Sequence, residues 1–323
     1  MIGELVKRAA ATPPAWSLAA RLRADRGVCV LMYHRVTRRG DRFPGLDLDQ
    51  FVEQMRWLRR CCAPLAPEEL APALREWPSG RPPVLVTFDD GYRDFHDNAY
   101  PVLAELGIPS LVFLATSFLD GSGLIWTDAV TWGFRRSPRA SVRLPWERSA
   151  ALPLGNDADR ACAMRLAKDH LKAIPDAQRE VAQQALLDEL GVDPGDGSAG
   201  RQMLSWDEVR ATLPLARFGG HTHTHPILSQ VEPERAEREI RLSHERIAAE
   251  TGVTPRYFAY PNGRAQDFSE GTKDVLRGLG YELAFSTIEG LHAPGMDPYA
   301  IRRQPAAARH LGDFAWLVAG RGT

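Results

Sequence analysis

The feature that most constrains the fold is an alternation of short apolar runs with helical segments along a chain of 323 residues. The apolar runs are rich in β-branched and aromatic residues and are bounded by turn-forming residues, which favours buried strands. Strands are predicted at 28–33, 84–88, 110–115, 216–219, 257–260, 282–286 and 299–303. Parallel strands separated by helices predict an α/β protein with a distorted (β/α) barrel, and a doubly wound open sheet is the alternative.

Helix start signals lie between several of these runs. Asp47 with Gln50, and Ser205 with Glu208, have the spacing of a capping box at a helix N-terminus. A third helix is predicted over 233–252, because a proline opens the segment and a glycine closes it. Its predicted buried stripe consists of Ala236, Ile240 and Ile247.

The segment 121–200 breaks the alternation of strands and helices. It contains helical patterns at 161–171 and 177–190 and the glycine-rich stretch 191–200. Barrels use long loops of this kind to shape a substrate site, so we expect a helical insertion after the third strand. The predicted organisation is an N-terminal helical extension over 1–27 and a barrel domain over 28–323 that carries the insertion at 121–200.

Composition narrows the possible functions. The chain has 40 basic and 41 acidic residues, and this balance argues against a general nucleic-acid binder. Its four cysteines form no CxxC pair, so neither a thiolate metal site nor a disulfide framework is predicted. No apolar run approaches the length of about 18 residues that a membrane span needs, and the N-terminus has no signal-peptide pattern. We therefore expect a cytoplasmic protein.

The N-terminal segment mixes basic residues with leucines and a tryptophan. This composition leaves two interpretations open. The segment could be an interfacial helix on a membrane surface, or a helix that packs on the barrel domain.

Two adjacent carboxylates, Asp89 and Asp90, follow the apolar run at 84–88 and precede a glycine. Neighbouring residues at a strand end project in different directions, so one acid can bind a cation while the other moves protons. Asp-Asp-Gly is also good turn chemistry, and a simple surface turn is the alternative.

Three histidines alternate in the segment HTHTHP at 221–226. His221 and His225 are four residues apart, which on a helical turn places both rings on one side, and imidazole suits zinc and similar divalent metals. His223 would point elsewhere and have a structural role. With Asp90, the two outer histidines make a set of three protein ligands that leaves room for water and substrate, as in catalytic metal sites. Asp89 would then serve as the base in a metal-assisted hydrolysis of an acyl bond.

Three segments in order, TFDDG at 87–91, HTHTHP at 221–226 and FAYPNG at 258–263, resemble the motifs of the polysaccharide deacetylases. This family is also known as the NodB homology group or carbohydrate esterase family 4. The resemblance extends over about 28–304 and is greatest to the branch with the FAYP form, the poly-N-acetylglucosamine deacetylases. It implies a distorted (β/α) barrel that removes acetyl groups from N-acetylated sugars with one divalent metal ion. Zinc is the expected ion, with cobalt, nickel or manganese as alternatives.

The resemblance also implies roles for single residues. Asp89 matches the general base, and the metal ligands match Asp90, His221 and His225. The backbone amide that stabilises the oxyanion falls at Asn262. Tyr260 and Pro261 are expected to shape the same loop, and Tyr260 is also expected to contact substrate. The arginine that relatives carry in this motif is replaced by Ala259, and Arg303, or as a second choice Arg302, is expected to supply the partner of the base.

The general acid has no match in a late motif, where His292 lies in a loop of unknown orientation. VLMYHRV at 30–36 resembles a first-strand motif of the poly-N-acetylglucosamine deacetylases, which assigns the general acid to His34. A strand-capping histidine is the alternative interpretation. Trp126 lies beside Asp128 after the third strand and is expected either to stack on a sugar ring or to pack in the core.

The predicted function is hydrolysis of the N-acetyl group of an amino sugar in a polysaccharide, glycolipid or glycan precursor. An O-acetyl sugar esterase and a catalytically silent carbohydrate-binding protein are the alternatives. A metalloprotease is disfavoured, because the sequence lacks an HExxH helix. The expected partner is the N-acetylated sugar itself.

Overall fold

The computed structural model describes residues 27–75, 81–121, 123–147, 151–308 and 310–320. The predicted N-terminal extension lies outside the described residues except for Gly27, and so does its predicted contact with a membrane surface. Within the described ranges, no helix combines the length and the apolar character that crossing a membrane requires.

The strands of the described chain differ greatly in length. They are β1 (Cys29–Tyr33), β2 (Val36–Thr37), β3 (Leu46–Asp47), β4 (Ala63–Pro64), β5 (Pro83–Phe88), β6 (Ser110–Leu114), β7 (Ser141–Val142), β8 (Leu152–Pro153), β9 (Ala216–Gly220), β10 (Tyr257–Ala259), β11 (Leu283–Glu289) and β12 (Ile301–Pro305).

Seven of these strands form a closed parallel barrel in the order β1, β12, β11, β10, β9, β6 and β5. The barrel closes because β1 pairs with β12 on one side and with β5 on the other, where Tyr33 lies opposite Phe88. β4 extends the sheet beyond β5. The predicted barrel is confirmed, and the open-sheet alternative is wrong because both edges of that sheet are paired to each other.

Burial explains why the barrel strands were recognisable in the sequence. Every residue of β5 and of β6 is buried, since one face of each strand points into the barrel and the other packs against helices. Such strands appear as continuous apolar runs without polar alternation. The carboxyl ends of all seven parallel strands meet at one end of the barrel, where a barrel places its chemistry.

The helices surround the barrel and fill the insertion. They are α1 (Leu48–Cys61), α2 (Leu70–Arg75), α3 (Tyr100–Leu106), α4 (Trp126–Arg136), α5 (Asp157–Ala173), α6 (Asp176–Leu190), α7 (Trp206–Thr212), α8 (Pro233–Thr251), α9 (Glu270–Gly278) and α10 (Leu311–Val318). A π-helical turn, Phe95–Ala99, precedes α3, and 3₁₀ turns occur at Pro67–Glu69 and Leu228–Gln230.

Most of the predicted helix signals are present. Ser205 and Glu208 form the expected capping box of α7. Gly252 ends α8 in a left-handed conformation with φ 71°, and the predicted stripe of α8 is buried. Asp47 does cap α1, but its side chain accepts from the backbone N–H of Asp49 at 2.9 Å and forms no box with Gln50.

The chain between β6 and β9 contains α4 to α7 and the hairpin of β7 and β8. Within this segment, α4, α5 and α6 pack on one another around a separate hydrophobic cluster. The predicted helices of this region are present, but α4 was not predicted. Eight of its eleven residues are buried, and these include the polar Asp128 and Thr131, so its polar residues do not mark an exposed face.

Candidate active site

The centre of the site is a buried ion pair between Asp89, which follows β5, and Arg303 on β12. Arg303 Nη1 lies 2.6 Å from Asp89 Oδ1, and Arg303 Nη2 lies 2.8 Å from Asp89 Oδ2. The guanidinium is fully buried, and its Nε donates to the backbone carbonyl of Ser286 at 2.7 Å. This contact and the two-point pairing fix the orientation of the carboxylate.

The charge of Asp89 depends on its neighbours. Burial alone would raise the pKa of this carboxyl, but Arg303, together with His221 and His34, lowers the pKa below its ordinary value. Asp89 is therefore a buried carboxylate that stays ionised. A carboxylate in this state can accept a proton.

Asp90 lies beside two imidazoles from the loop after β9. Its Oδ1 is 3.1 Å from His225 Nε2 and 3.3 Å from His221 Nε2. The ring of His221 is oriented from its other side, because Nδ1 lies 2.7 Å from the carbonyl oxygen of Ala259. A carbonyl accepts only, so the proton sits on Nδ1 and Nε2 points its lone pair toward Asp90.

The three groups fit a metal ion. Their ligand atoms lie within 4.8 Å of one another, and all three residues are buried. Among the described residues, Asp90 Oδ1 is a buried oxygen with no hydrogen-bond partner. Buried oxygen and nitrogen acceptors that face one another without donors are costly unless a cation lies between them.

The two histidines meet through a strained loop and not through a helical turn, so the predicted helical placement is wrong while the pairing of the rings is present. Thr222 and His225 have left-handed backbone conformations with φ 64° and 62°, and Asp90 on the opposite side has φ 76°. Such values are unfavourable for a β-branched threonine. The Thr222 hydroxyl offsets part of this strain, since it donates to the His221 carbonyl at 2.6 Å and accepts from the His225 N–H at 3.0 Å.

A buried carboxylate from α8 holds this loop, and sequence reasoning missed it. Glu239 accepts hydrogen bonds from the backbone N–H groups of His223 and Thr224 at 3.0 and 2.7 Å, and from the Thr224 hydroxyl at 2.6 Å. His223 turns away from the metal ligands, and its Nδ1 lies 3.0 Å from Thr116 Oγ1. In the sequence, Glu239 looks like one more charge on a charged helix, and nothing marks it as buried.

His34 lies at the end of β1 on the rim of the same site. Its side chain is 49% exposed, and its Nε2 is 4.0 Å from Asp89 Oδ2. It lines the cavity above Asp89, where it can reach a bound molecule. The next residue, Arg35, points the other way and is bound to Asp128 at 2.7 Å and to Asp94 at 3.2 Å.

Asn262 also lines the cavity and has a left-handed backbone with φ 59°. Its side-chain Nδ2 donates to Asp267 Oδ2 at 2.6 Å, and its carbonyl oxygen accepts from the Thr287 hydroxyl at 2.7 Å. These two contacts hold Asn262, the residue whose backbone N–H the sequence assigned to oxyanion binding.

The two predicted substrate-contacting aromatic residues have different positions. Trp126 lines the cavity at the start of α4, with 6% of its surface exposed and the Arg179 guanidinium 5.1 Å from its ring. Tyr260 is fully buried, stacks on Phe268 at 4.0 Å and donates its hydroxyl to the Tyr299 carbonyl. The predicted substrate contact of Tyr260 is therefore wrong for this conformation, because the side chain supports the loop from within the core.

The sequence also raised Arg302 and His292 as candidates for catalytic roles, and both lie away from Asp89. Arg302 is exposed and reaches the carbonyl of Glu289 at 3.4 Å, away from Asp89. His292 is buried against the backbone of Arg302, whose N–H donates to its Nδ1 at 3.3 Å. Neither side chain reaches the ion pair of Asp89 and Arg303.

These residues surround a cavity of about 690 Å³ at the carboxyl end of the barrel. Its floor carries Asp89, Asp90, His221 and His225, and one wall comes from α4 and α5 of the insertion. A volume of this size is in the range of small-molecule sites. The insertion therefore takes part in the site, as its position in the sequence suggested.

In sequence, this chain is similar to polysaccharide deacetylases. Residues 78–135 and 198–284 match the protein family described as Polysaccharide deacetylase. A putative polysaccharide deacetylase of Bacillus subtilis, YxkH, is 36% identical over 89 residues, which cover 26% of this chain. That match spans 30% of the curated relative's own length.

Two solved structures share the fold over most of their length. The structure of IcaB from Ammonifex degensii has a TM-score of 0.59 and 21% identity, and the match covers 92% of this chain and 98% of that one. The Streptococcus pyogenes deacetylase PplD, solved in complex with acetate, has a TM-score of 0.57 and 17% identity, with coverage of 87% and 92%. At these identities the likeness concerns the barrel fold.

Proposed function

We propose that this chain, whose residues 78–135 and 198–284 match the polysaccharide deacetylase family, is a hydrolase that removes the acetyl group from an N-acetylated amino sugar with the help of a divalent metal ion. One observation carries this proposal. An ionised carboxylate, Asp89, held by Arg303, lies next to a buried set of three metal-ligand groups at the floor of an open cavity.

Asp90, His221 and His225 are the residues that would hold the ion. A divalent metal bound there would lower the pKa of a bound water and polarise the acetyl carbonyl. Two imidazoles and one carboxylate suit zinc, and also accept cobalt, nickel or manganese.

The remaining steps belong to the side chains and backbone of this chain. Asp89 removes a proton from the attacking water as its oxygen forms a bond to the acetyl carbon. The backbone N–H of Asn262 stabilises the negative charge that develops on the carbonyl oxygen. His34 then donates a proton to the sugar nitrogen as the C–N bond breaks, so that acetate and a free amine leave.

The deacetylase PplD, which has the same fold, was solved in complex with acetate. Acetate is the product that hydrolysis of an acetylated sugar releases. His34 and Asn262 both line this cavity, which supports the proposal that they act on one bound acetyl group.

The test is acetate release from chitooligosaccharides by protein that is stripped of metal with a chelator and then reloaded with zinc. We expect release that requires the metal and that is lost in Asp89→Asn, a variant of nearly the same shape. Acetyl-xylan is the matched ester substrate. Acetate release from acetyl-xylan alone would replace the proposal with an O-acetyl esterase, and glycan binding without any acetate release would leave a carbohydrate-binding protein.

A further inference from the structure

One wall of the cavity is positively charged and does not come from the barrel strands. Lys168 and Lys172 are four residues apart on α5, so both point from the same face of the helix, and Arg264 follows β10. All three side chains line the cavity that also contains the metal-ligand residues.

These three cations lack carboxylate partners. Among the described residues, no carboxylate oxygen is within ion-pair distance of any of them, while the other arginine that lines the cavity, Arg35, is bound to Asp94 and Asp128. Lys168 Nζ donates only to an uncharged group, the Thr131 hydroxyl, at 2.7 Å.

The local environment makes this lack of partners costly. Burial lowers the pKa of Lys168, and burial followed by repulsion from Arg264 lowers the pKa of Lys172. A half-buried ammonium group that has lost water and gained no counter-ion is stabilised when an anion binds beside it. Of the four acids that line the cavity, Asp89 and Asp128 are held by arginines, Asp90 faces the histidines, and Glu289 lies beyond ion-pair distance of all three cations.

We propose that the acetylated sugar taken by this site carries a phosphate group, and that Lys168, Lys172 and Arg264 bind it. This inference rests on the proposed function, because it describes a second part of the same substrate. Phosphate fits better than a neutral hydroxyl, since its oxygens accept several charge-assisted hydrogen bonds and pair with a guanidinium at two points. The insertion that carries both lysines would thus select the substrate, while the barrel supplies the chemistry.

The experiment compares kcat/KM for acetate release from four probes. They are N-acetylglucosamine 1-phosphate, uridine diphosphate N-acetylglucosamine, neutral methyl N-acetylglucosaminide, and N-acetylmuramic acid as a carboxylate-bearing control. We expect at least one phosphorylated probe to exceed the neutral glycoside by tenfold or more. The first two probes distinguish a phosphate monoester from a nucleotide diphosphate.

Variants of Lys172 and Arg264 test whether these residues bind the phosphate. Lys172→Gln and Arg264→Gln should each lower the ratio of the phosphorylated to the neutral kcat/KM by about tenfold, mainly through a higher KM, because each removes a charge-assisted contact worth about 1.4 kcal/mol. Arg165→Gln is the matched control, since Arg165 lies exposed on the same helix and does not line the cavity. It should leave the ratio unchanged.

Three results would overturn the inference. They are a preference for the neutral glycoside, a preference for the carboxylate-bearing probe, and wall variants that keep the wild-type ratio. Chitooligosaccharide deacetylation that persists in these cases keeps the proposed function intact while the phosphate site is rejected. If no probe and no chitooligosaccharide releases acetate, the proposed function fails and the inference fails with it.

Discussion

The guanidinium of Arg303 binds both carboxylate oxygens of Asp89, at 2.6 and 2.8 Å, although the two residues lie 214 positions apart in the chain. The contact joins β12 to the end of β5 and brings a charged pair into the closed barrel. A charged pair in such a place stabilises the fold only as long as both partners are present.

Replacing Arg303 should therefore affect both stability and activity. Arg303→Met leaves Asp89 as an unpaired buried charge, and we expect a loss of about 3–5 kcal/mol in the free energy of unfolding. Arg303→Lys keeps the charge without the two-point contact and should lose less stability. Chemical denaturation measures both variants.

The double variant Asp89→Asn/Arg303→Met provides the control. It removes both charges, so it should recover much of the stability that Arg303→Met loses while it remains inactive. A double variant no more stable than Arg303→Met would show that the two charges do not stabilise each other.

The role of His34 as proton donor can be tested by varying the leaving group. His34→Gln should lower acetate release from an N-acetyl sugar by about 10²–10⁴-fold, the usual contribution of a general acid. Release from 4-nitrophenyl acetate should fall by less than tenfold, because nitrophenolate leaves without a proton. His96→Gln, at another partly exposed histidine outside this cavity, should change neither rate. An equal loss on both substrates in His34→Gln would contradict the assignment.

Glu239 holds the loop that carries the two histidines of the proposed metal site. Glu239→Ala removes the acceptor of three hydrogen bonds. We expect zinc affinity to fall by about 10–100-fold, as for other residues that orient metal ligands. Glu245→Ala, at an exposed glutamate of the same helix, is the matched control. Competition with a chromophoric chelator measures both, and unchanged affinity in Glu239→Ala would refute the role.

His292 gives a prediction for the pH dependence of stability. Burial, and then the nearby charge of Arg302, lower its pKa from 6.5 to about 4 in the folded protein. The unfolded chain then binds more protons than the folded one between these values. The stability that neutral His292 contributes is fully present above about pH 6.5. We expect the free energy of unfolding to fall by about 1–3 kcal/mol as the pH falls to about 4.

The variant His292→Asn isolates this effect. Its side-chain oxygen can accept the N–H of Arg302 in place of Nδ1 but cannot bind a proton in this range. The free energy of unfolding of the variant should change less between pH 6.5 and 4 than that of the wild type. Identical slopes would show that His292 does not titrate as described.

The barrel could be predicted from the sequence because strands such as β5 and β6 are buried on both faces and stand out as apolar runs. The choice between Arg302 and Arg303 was harder. Neighbouring residues of a strand point to opposite faces, and a sequence fixes this alternation without fixing which face is the interior. The structure resolves the choice by burying Arg303 and exposing Arg302.

Residues outside the motifs could not be found in this way. Glu239, Lys168 and Lys172 have the charges expected of solvent-exposed helix positions, and only the tertiary fold brings them against a loop or a cavity. For Tyr260, by contrast, the sequence predicted a functional contact that the structure does not show. Its place in a motif suggested contact with substrate, but its large ring is buried where the loop needs support.

The central claim is that Asp89 moves the proton while Asp90, His221 and His225 hold the metal. The most direct measurement is zinc content and acetate release on the same preparations of wild type, Asp89→Asn and His221→Ala. The account predicts that Asp89→Asn keeps about one equivalent of zinc and loses at least about 10²-fold in acetate release, whereas His221→Ala loses both. Wild-type activity in Asp89→Asn, or full zinc content in His221→Ala, would contradict it.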